Sequence, residues 1–383
     1  MHNDKIIGHF EGGRLMKFTC NRDIFIEALN AVQRIIPSKS NTPVLEGFLI
    51  EVGEDIIITG SDGEVSITFE VAAIIEEIGS VVVSAKIFGD IVRKMPDVYV
   101  TVETSSKNNS LLVNSGASQF EIPTISSDSY PKISYIDNSE NNFSMPAAEF
   151  RKCIRQSAFA ASIEGTKQIL KGVLIENADG VMKFAAVDGV KMAVKKFVSG
   201  LDKEFRVVVN ARIVSEVEKI LEKSDELVDI CFTDSQIMFS NKNFRFVSNL
   251  LKGDFPDYEK LIPTDFSTEM KVKTYDFVST FERVGLVISD EKKWPIVLKT
   301  YPDEVFISVV GENGNSNETV SAEISGQEIE IFFNRKVMSD CLKVIDKEKM
   351  TVKFSTQKGP CVIIPENDET FIMLVMPVKP RIR

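Results

Sequence analysis

The sequence predicts an α+β fold written three times, each copy a domain of two helices packed on antiparallel sheets, and three observations lead there. First, the segment VVVNARIVSEVEKIL at residues 207–221 has relatives at almost equal spacing, VVVSAKIFGDIVRKM at 81–95 and IFFNRKVMSDCLKVI at 331–345. Each opens with a β-branched or aromatic run, turns through Ser84, Asn210 or Asn334, and continues with apolar residues at helical spacing, which reads as strand, N-cap and amphipathic helix. Second, other landmarks keep the same order: LEGFLIE at 45–51 and LKGVLIE at 170–176, ITGSDG at 58–63 and FAAVDG at 184–189, SYP at 129–131 and DFP at 254–256. Third, 383 residues give room for three cores, and a repeat this long is a whole domain rather than a solenoid unit.

Residues 1–15 show no periodicity and read as an extension outside the fold, whereas MKFTC from Met16 begins a strand. Both histidines, His2 and His9, fall in that extension, so the predicted fold lacks the commonest general base and metal ligand. The first domain, residues 16–135, has a helix from Asn21 to Ile36 with Ile24, Phe25, Ala28, Leu29, Val32 and Ile36 on its apolar face and Asn21 as cap. Strands at 44–52, 55–60, 64–71 and 80–83 lead to the helix from Lys86, and strands near 98–103, 110–114 and 118–123 follow. The polar IDNSENN is a linker. The second domain, residues 143–263, opens on a helix from Pro146 that carries Phe150, Ile154 and Ala158 inward; its second helix puts Ile213, Val214, Val217, Ile220 and Leu221 on one face. After the linker TDFSTE, the third domain, residues 270–383, starts with a helix from about Tyr275 to Ile288 and keeps the repeat in outline.

Hydrophobic content of 43% and charged content of 26% are ordinary for a soluble globular protein. With no apolar run long enough to span a bilayer and no secretory signal, a cytoplasmic protein without membrane contact is expected. The five cysteines are scattered without a CxxC pair and read as buried free thiols. Asp62-Gly63 and Asp188-Gly189 are hairpin turns before they are ligands, and GENGNSNE at 311–318 lacks phosphate-loop spacing. No nucleophile stands beside a base, so no catalytic residue, metal or cofactor is assigned.

A net charge of −11 argues against a general nucleic-acid binder. The helices nevertheless carry Arg22, Arg34, Lys86, Arg93, Lys94, Arg151, Lys152, Arg155, Arg212, Lys219, Arg283, Lys336 and Lys343. Taken singly these are solvated helix faces. If all six helices pack side by side, they form one basic surface suited to phosphates and devoid of base-reading side chains.

NTPVLEGFLIEV, VDGVKMAV, GDFPDYEKLIP and the terminal LVMPVK, in this order in a thrice-repeated chain, resemble the bacterial DNA polymerase III beta subunit family of processivity sliding clamps, from Met16 to about Lys379. The resemblance implies a homodimer joined head to tail into a ring, helices lining a hole around double-stranded DNA of any sequence, sheets forming the outer wall, and no enzymatic activity. It implies as partners the DNA polymerase III catalytic subunit, the clamp loader and other proteins with clamp-binding motifs. It places a partner-peptide groove at Leu170, Val187, Gly189, Met192, Pro256, Lys260, Leu261, Pro360, Leu374, Met376, Pro377 and Val378, and a dimer interface at Phe120, Ile122, Val287 and Ile288. Of the basic residues, Lys86, Arg93, Lys94, Arg151, Arg155 and Arg212 are the expected phosphate contacts; the resemblance adds Lys39, while Glu164 in the corresponding second-domain loop is not carried over.

Such a ring fits the task physically. A processivity factor must stay on DNA and still slide, which calls for enclosure with weak, sequence-neutral contacts, and acidic outer walls repel DNA from outside. Val187, Val190, Lys191 and Lys260 depart from the family's more polar or arginine-bearing pattern, which leaves the preferred peptide open. Two readings of other classes stand beside this one: an enzyme on a duplicated scaffold, and a monomeric interaction scaffold. Leu170, Leu261 and Ile122 read equally well as core residues.

Overall fold

The computed structural model describes residues 16–105, 109–136, 140–223, 225–289 and 294–379. The expected extension with His2 and His9 lies outside them. Within these residues every strand ladder is antiparallel, and the strands collect into one sheet in each of two compact units. Helices are α1 (Arg22–Gln33), α2 (Ala85–Arg93), α3 (Ala147–Ser157), α4 (Ala211–Ile220), α5 (Thr274–Val284) and α6 (Arg335–Leu342). No described helix is long and apolar enough to cross a membrane.

The first unit holds the described residues up to Pro146 together with Asp225–Asn249. Its strand Phe244–Asn249, from the second repeat, pairs with Val65–Val71 of the first, so strands of two repeats share one sheet. Helices α1 and α2 pack against each other over a core in which Phe18, Phe25, Phe88 and Phe48 meet edge to face, with centroids 5.8 to 6.4 Å apart. The second unit holds Ala147–Ser224 and the residues from Leu250 on. Here strand Lys191–Val198 of the second repeat pairs with Phe371–Val375 of the third, while α3 packs on α4 and α5 on α6. The second repeat thus gives strands to both units.

Local chemistry explains where the helices begin. The Asn21 side chain accepts from the amides of Asp23 and Ile24, Asn210 from Arg212, and Asn334 from Val337. Ser84, expected as the matching cap, makes no such bond. The inward face of α1 is Phe25, Ala28, Leu29 and Val32, as expected, but Ile24 is 52% exposed. Both Asp-Gly pairs are hairpin turns: Asp62 Oδ1 accepts from Glu64 and Val65, Asp188 Oδ1 accepts from Val190 and Lys191, and Gly63 and Gly189 sit at φ +96 and +93. All five cysteines are free thiols, four of them buried.

Gly47 and Gly172, the matched glycines of LEGFLIE and LKGVLIE, have ordinary φ values of −111 and −104, so their role is steric. A Cβ on Gly47 would lie 2.6 Å from Val82 Cγ1 and 2.8 Å from the Val83 carbonyl oxygen; one on Gly172 would lie 2.3 Å from Val208 Cγ1. Each lets its strand approach the strand that leads into the next helix. Gly47→Ala and Gly172→Ala should each lower stability by about 1–3 kcal/mol through overpacking, read as a drop in the melting midpoint; an unchanged midpoint would show that the neighbouring valines give way freely.

Candidate functional site

Strand Lys191–Val198 has two faces with opposite chemistry. Met192 and Val194 point into an apolar cluster with Ile169, Leu174, Ala185, Val187, Val208, Phe255, Tyr258 and Leu374, against which Leu170, Leu251, Ile262 and Met376 pack partly buried. Lys191 and Lys195, on the other face, are 6% and 4% exposed. The Lys195 ammonium donates to Asp368 at 3.0 Å and Thr370 at 2.6 Å and lies 5.9 Å from the Phe371 ring centroid. Burial opposes ionisation of Asp368, yet the bonds from Thr370 and Lys195 outweigh it and hold the carboxyl below its ordinary value.

Of the residues expected in a peptide groove, the fold brings Leu170, Val187, Met192, Leu374 and Met376 into this one cluster. Met192 lies opposite Val187 on one side and Leu374 on the other. The Met376 amide donates to the Val190 carbonyl at 2.8 Å and the Val378 amide to Phe332 at 2.8 Å, so the segment through Pro377 is tied down at both ends. Pro256, Lys260 and Leu261 belong to the stretch that supplies Phe255, Tyr258 and Ile262 to the cluster. Leu261 is 44% exposed, and Lys260 reaches solvent beside Asp257 at 2.5 Å, an exposed pair of little energetic weight. Gly189 sits on the exposed turn above, while half-buried Pro360 falls outside the cluster. Ile169, Leu251, Phe255, Tyr258 and Ile262 were not anticipated; the apolar residues within and beside DFPDYEKL, and Ile169 beside Leu170, were the available signal. Tyr258 donates to Glu176 Oε1 at 2.6 Å, and burial followed by that carboxylate pushes its phenol well up, so it stays a neutral donor.

The expected phosphate contacts divide in two. Lys39, Lys86, Lys94, Arg155 and Arg212 are exposed. Arg93 is instead half-buried, bonded to Asn30 at 3.1 Å, to Gln33 and to Asp90 at 2.9 Å. Arg151 is likewise half-buried and donates to the Glu222 carbonyl, with its Nε buried. The expectation of a basic face on all six helices also needs correction. α2 and α3 are predominantly basic, but α1 sets Arg22 against Asp23 and Glu27, and α5 sets Arg283 against Asp276 and Glu282. Arg283 forks onto Glu318 at 2.5 Å, Lys219 pairs with Glu216 at 2.8 Å and Lys152 with Asp346 at 3.7 Å. Burial raises the Glu218 carboxyl even beside Arg155 and Arg151.

At the expected subunit junction, strand Ser118–Ile125 pairs through Ser118–Pro123 with Ser110–Ser115, and on its other side only through Thr124 and Ile125. Residues 118–123 therefore present an edge. Phe120 is 45% exposed there, whereas Ile122 is 7% exposed and belongs to the core. After α5, Ile288 is 6% exposed and Val287 half-buried, while Leu286 is 73% exposed; the exposed apolar residue of this turn was not the one expected.

Family models for the DNA polymerase III beta subunit match the chain three times in order: the N-terminal domain at residues 16–134, the central domain at 144–257 and the C-terminal domain at 259–379. The Beta sliding clamps of Bacillus subtilis and Halalkalibacterium halodurans are each 32% identical over 380 residues, covering 95% of this chain and 100% of the relative. The crystal structure of the DNA polymerase sliding clamp from Bacillus subtilis superposes with a TM-score of 0.89 at 31% identity, covering 96% of this chain and 100% of that one. The DNA polymerase III beta chain of Streptococcus pneumoniae gives a TM-score of 0.89 at 29% identity over 95% of this chain and 100% of its own.

Proposed function

The chain belongs to the bacterial DNA polymerase III beta subunit family, and from that premise we propose that it is a DNA sliding clamp: a non-catalytic, cytoplasmic homodimeric ring that encircles duplex DNA and tethers the replicative polymerase. The observation that carries this is the match of all three family domains, in order, along the described chain. The domain limits are those of the repeat, residues 16–135, 143–263 and 270–383. The DNA polymerase III catalytic subunit, the clamp loader and other proteins with clamp-binding motifs are its partners.

Phosphate contacts are assigned to Lys39, Lys86, Lys94, Arg155 and Arg212, whose charges face solvent, with Arg93 and Arg151 bracing their helices. Such contacts are sequence-neutral and screened by salt, so enclosure must hold the ring on DNA. Loaded protein should persist on closed circular DNA in high salt and depart when the circle is cut; equal retention on both would sink the encirclement reading.

The head-to-tail contact is assigned to Phe120 on the open strand edge and Leu286 after α5, which replaces Ile288 in this role. Leu286→Asp should shift sedimentation from dimer to monomer with the fold retained. Ile288→Asp, by burying an unpaired carboxylate, should lower thermal stability by roughly 3–5 kcal/mol instead. A Leu286→Asp protein that remains dimeric at micromolar concentration would show that the junction lies elsewhere.

The partner groove is assigned to Leu170, Val187, Met192, Leu374 and Met376, with Pro256, Lys260, Leu261, Gly189, Pro377 and Val378 around it and Pro360 at its margin. Methionines and branched aliphatics suit varied apolar anchors. Ending the chain after Val375 should abolish calorimetric binding of a short peptide with one glutamine and two or three apolar anchors, while the dimer persists. Undiminished affinity in an intact dimer would mean that the groove is elsewhere.

A further inference from the structure

The wall of the groove hangs on a buried charge that does not itself face the groove. Lys191 follows the turn carrying Gly189 and Val190, and its side chain runs away from the apolar cluster. Its ammonium donates to Asp340 Oδ2 of α6 at 2.7 Å, lies 3.9 Å from Asp188 Oδ2 and sits 5.8 Å from the Phe159 ring centroid. Asp188, in turn, accepts the amides of Val190 at 2.9 Å and Lys191 at 2.8 Å. Val190 then accepts the Met376 amide at 2.8 Å. A continuous set of bonds therefore runs from α6 through Lys191 and the turn to Met376.

We propose that Lys191 is a positioning residue for the partner-peptide groove: the ion pair between its buried ammonium and the half-buried Asp340 fixes the turn at residues 188–191 and, through the Val190 carbonyl, sets Met376 at the groove wall. The inference rests on the groove assignment above. It also explains why the lip of the groove is apolar, since Val190 is 46% exposed while the adjacent cation is turned inward. An ion pair with a buried cation is a poor source of net stability, because desolvation of the charge offsets much of the attraction; fixing a register or an orientation is its best-attested use. Stability and peptide affinity should accordingly separate when the pair is removed as a unit.

The test uses Lys191→Met combined with Asp340→Leu, the single variant Lys191→Arg, and the peptide with one glutamine and two or three apolar anchors. The double variant, in which Asp188 keeps its bonds to the Val190 and Lys191 amides, should stay folded, sediment as the parent does, and bind the peptide on the order of tenfold more weakly. Lys191→Arg, which keeps the cation, should bind as the parent does. Parent affinity in the folded double variant overturns the proposal, as does an affinity loss accompanied by an equal loss of melting temperature and shared by Lys191→Arg. Should the double variant fail to fold, Asp340→Asn reads the same contact by removing the carboxylate's charge at nearly constant shape: several-fold weaker binding supports the proposal and parent affinity overturns it. Parent binding, and its disappearance on removal of residues 376–383, examine the groove assignment separately, so a failure of that assignment is distinguishable from a failure of this one.

Discussion

The antiparallel seam between residues 191–195 and 371–375 is the constraint on which the second unit's surface depends. Side chains alternate across a strand, so one register decides two environments at once. In the observed register Met192 and Val194 join the apolar cluster, and Lys191 and Lys195 reach Asp340 and Asp368. A slip of one residue would exchange the faces, presenting two ammonium groups to an apolar cluster and stranding two carboxylates. Neither face could be satisfied alone. The ion pairs on one side therefore exclude the registers that would spoil the apolar surface on the other.

Repetition of the chain is repetition of such devices rather than of side chains. An aspartate accepting two amides closes both Asp-Gly hairpins, and a glycine admits a close neighbour at the start of both matched strands. Asparagine caps recur at α1, α4 and α6. Because each repeat leaves strand edges open, sheets continue from one repeat into another, as at Phe244–Asn249 with Val65–Val71. This is why the packing units divide the second repeat although its sequence is continuous.

The strands, caps and helix faces were legible because they are local: a period, a turn dipeptide and a cap lie within a few residues of one another. That Leu170, Val187, Met192, Leu374 and Met376 gather in one apolar cluster was anticipated for a different reason, the resemblance to a family. What periodicity missed has identifiable causes. Past Val284 the chain tightens into a turn of 3₁₀ helix at Gly285–Val287, with about three residues per turn in place of 3.6, so the inward direction moves off the α-helical phase. Leu286 comes out and Ile288 goes in. Arg93 and Arg151 looked available because, Asp90 apart, their partners are remote in sequence: Asn30 lies 63 residues from Arg93, and Glu222 lies 71 from Arg151. Composition reports a charge but not what it already holds.

An acidic chain works on DNA against its own long-range field. With a net charge of −11, long-range electrostatics oppose association, and only local cations can offset this. Several basic helix residues are already committed within the protein, to Glu318, Glu216, Asp346 or the Glu222 carbonyl. Lys39, Lys86, Lys94, Arg155 and Arg212 remain exposed, and any phosphate contact weakens steeply with salt. Tight binding by affinity would need more free cations and would also resist translation along the duplex. A few exposed cations would do the opposite, which suits a clamp whose retention comes from closure of the ring.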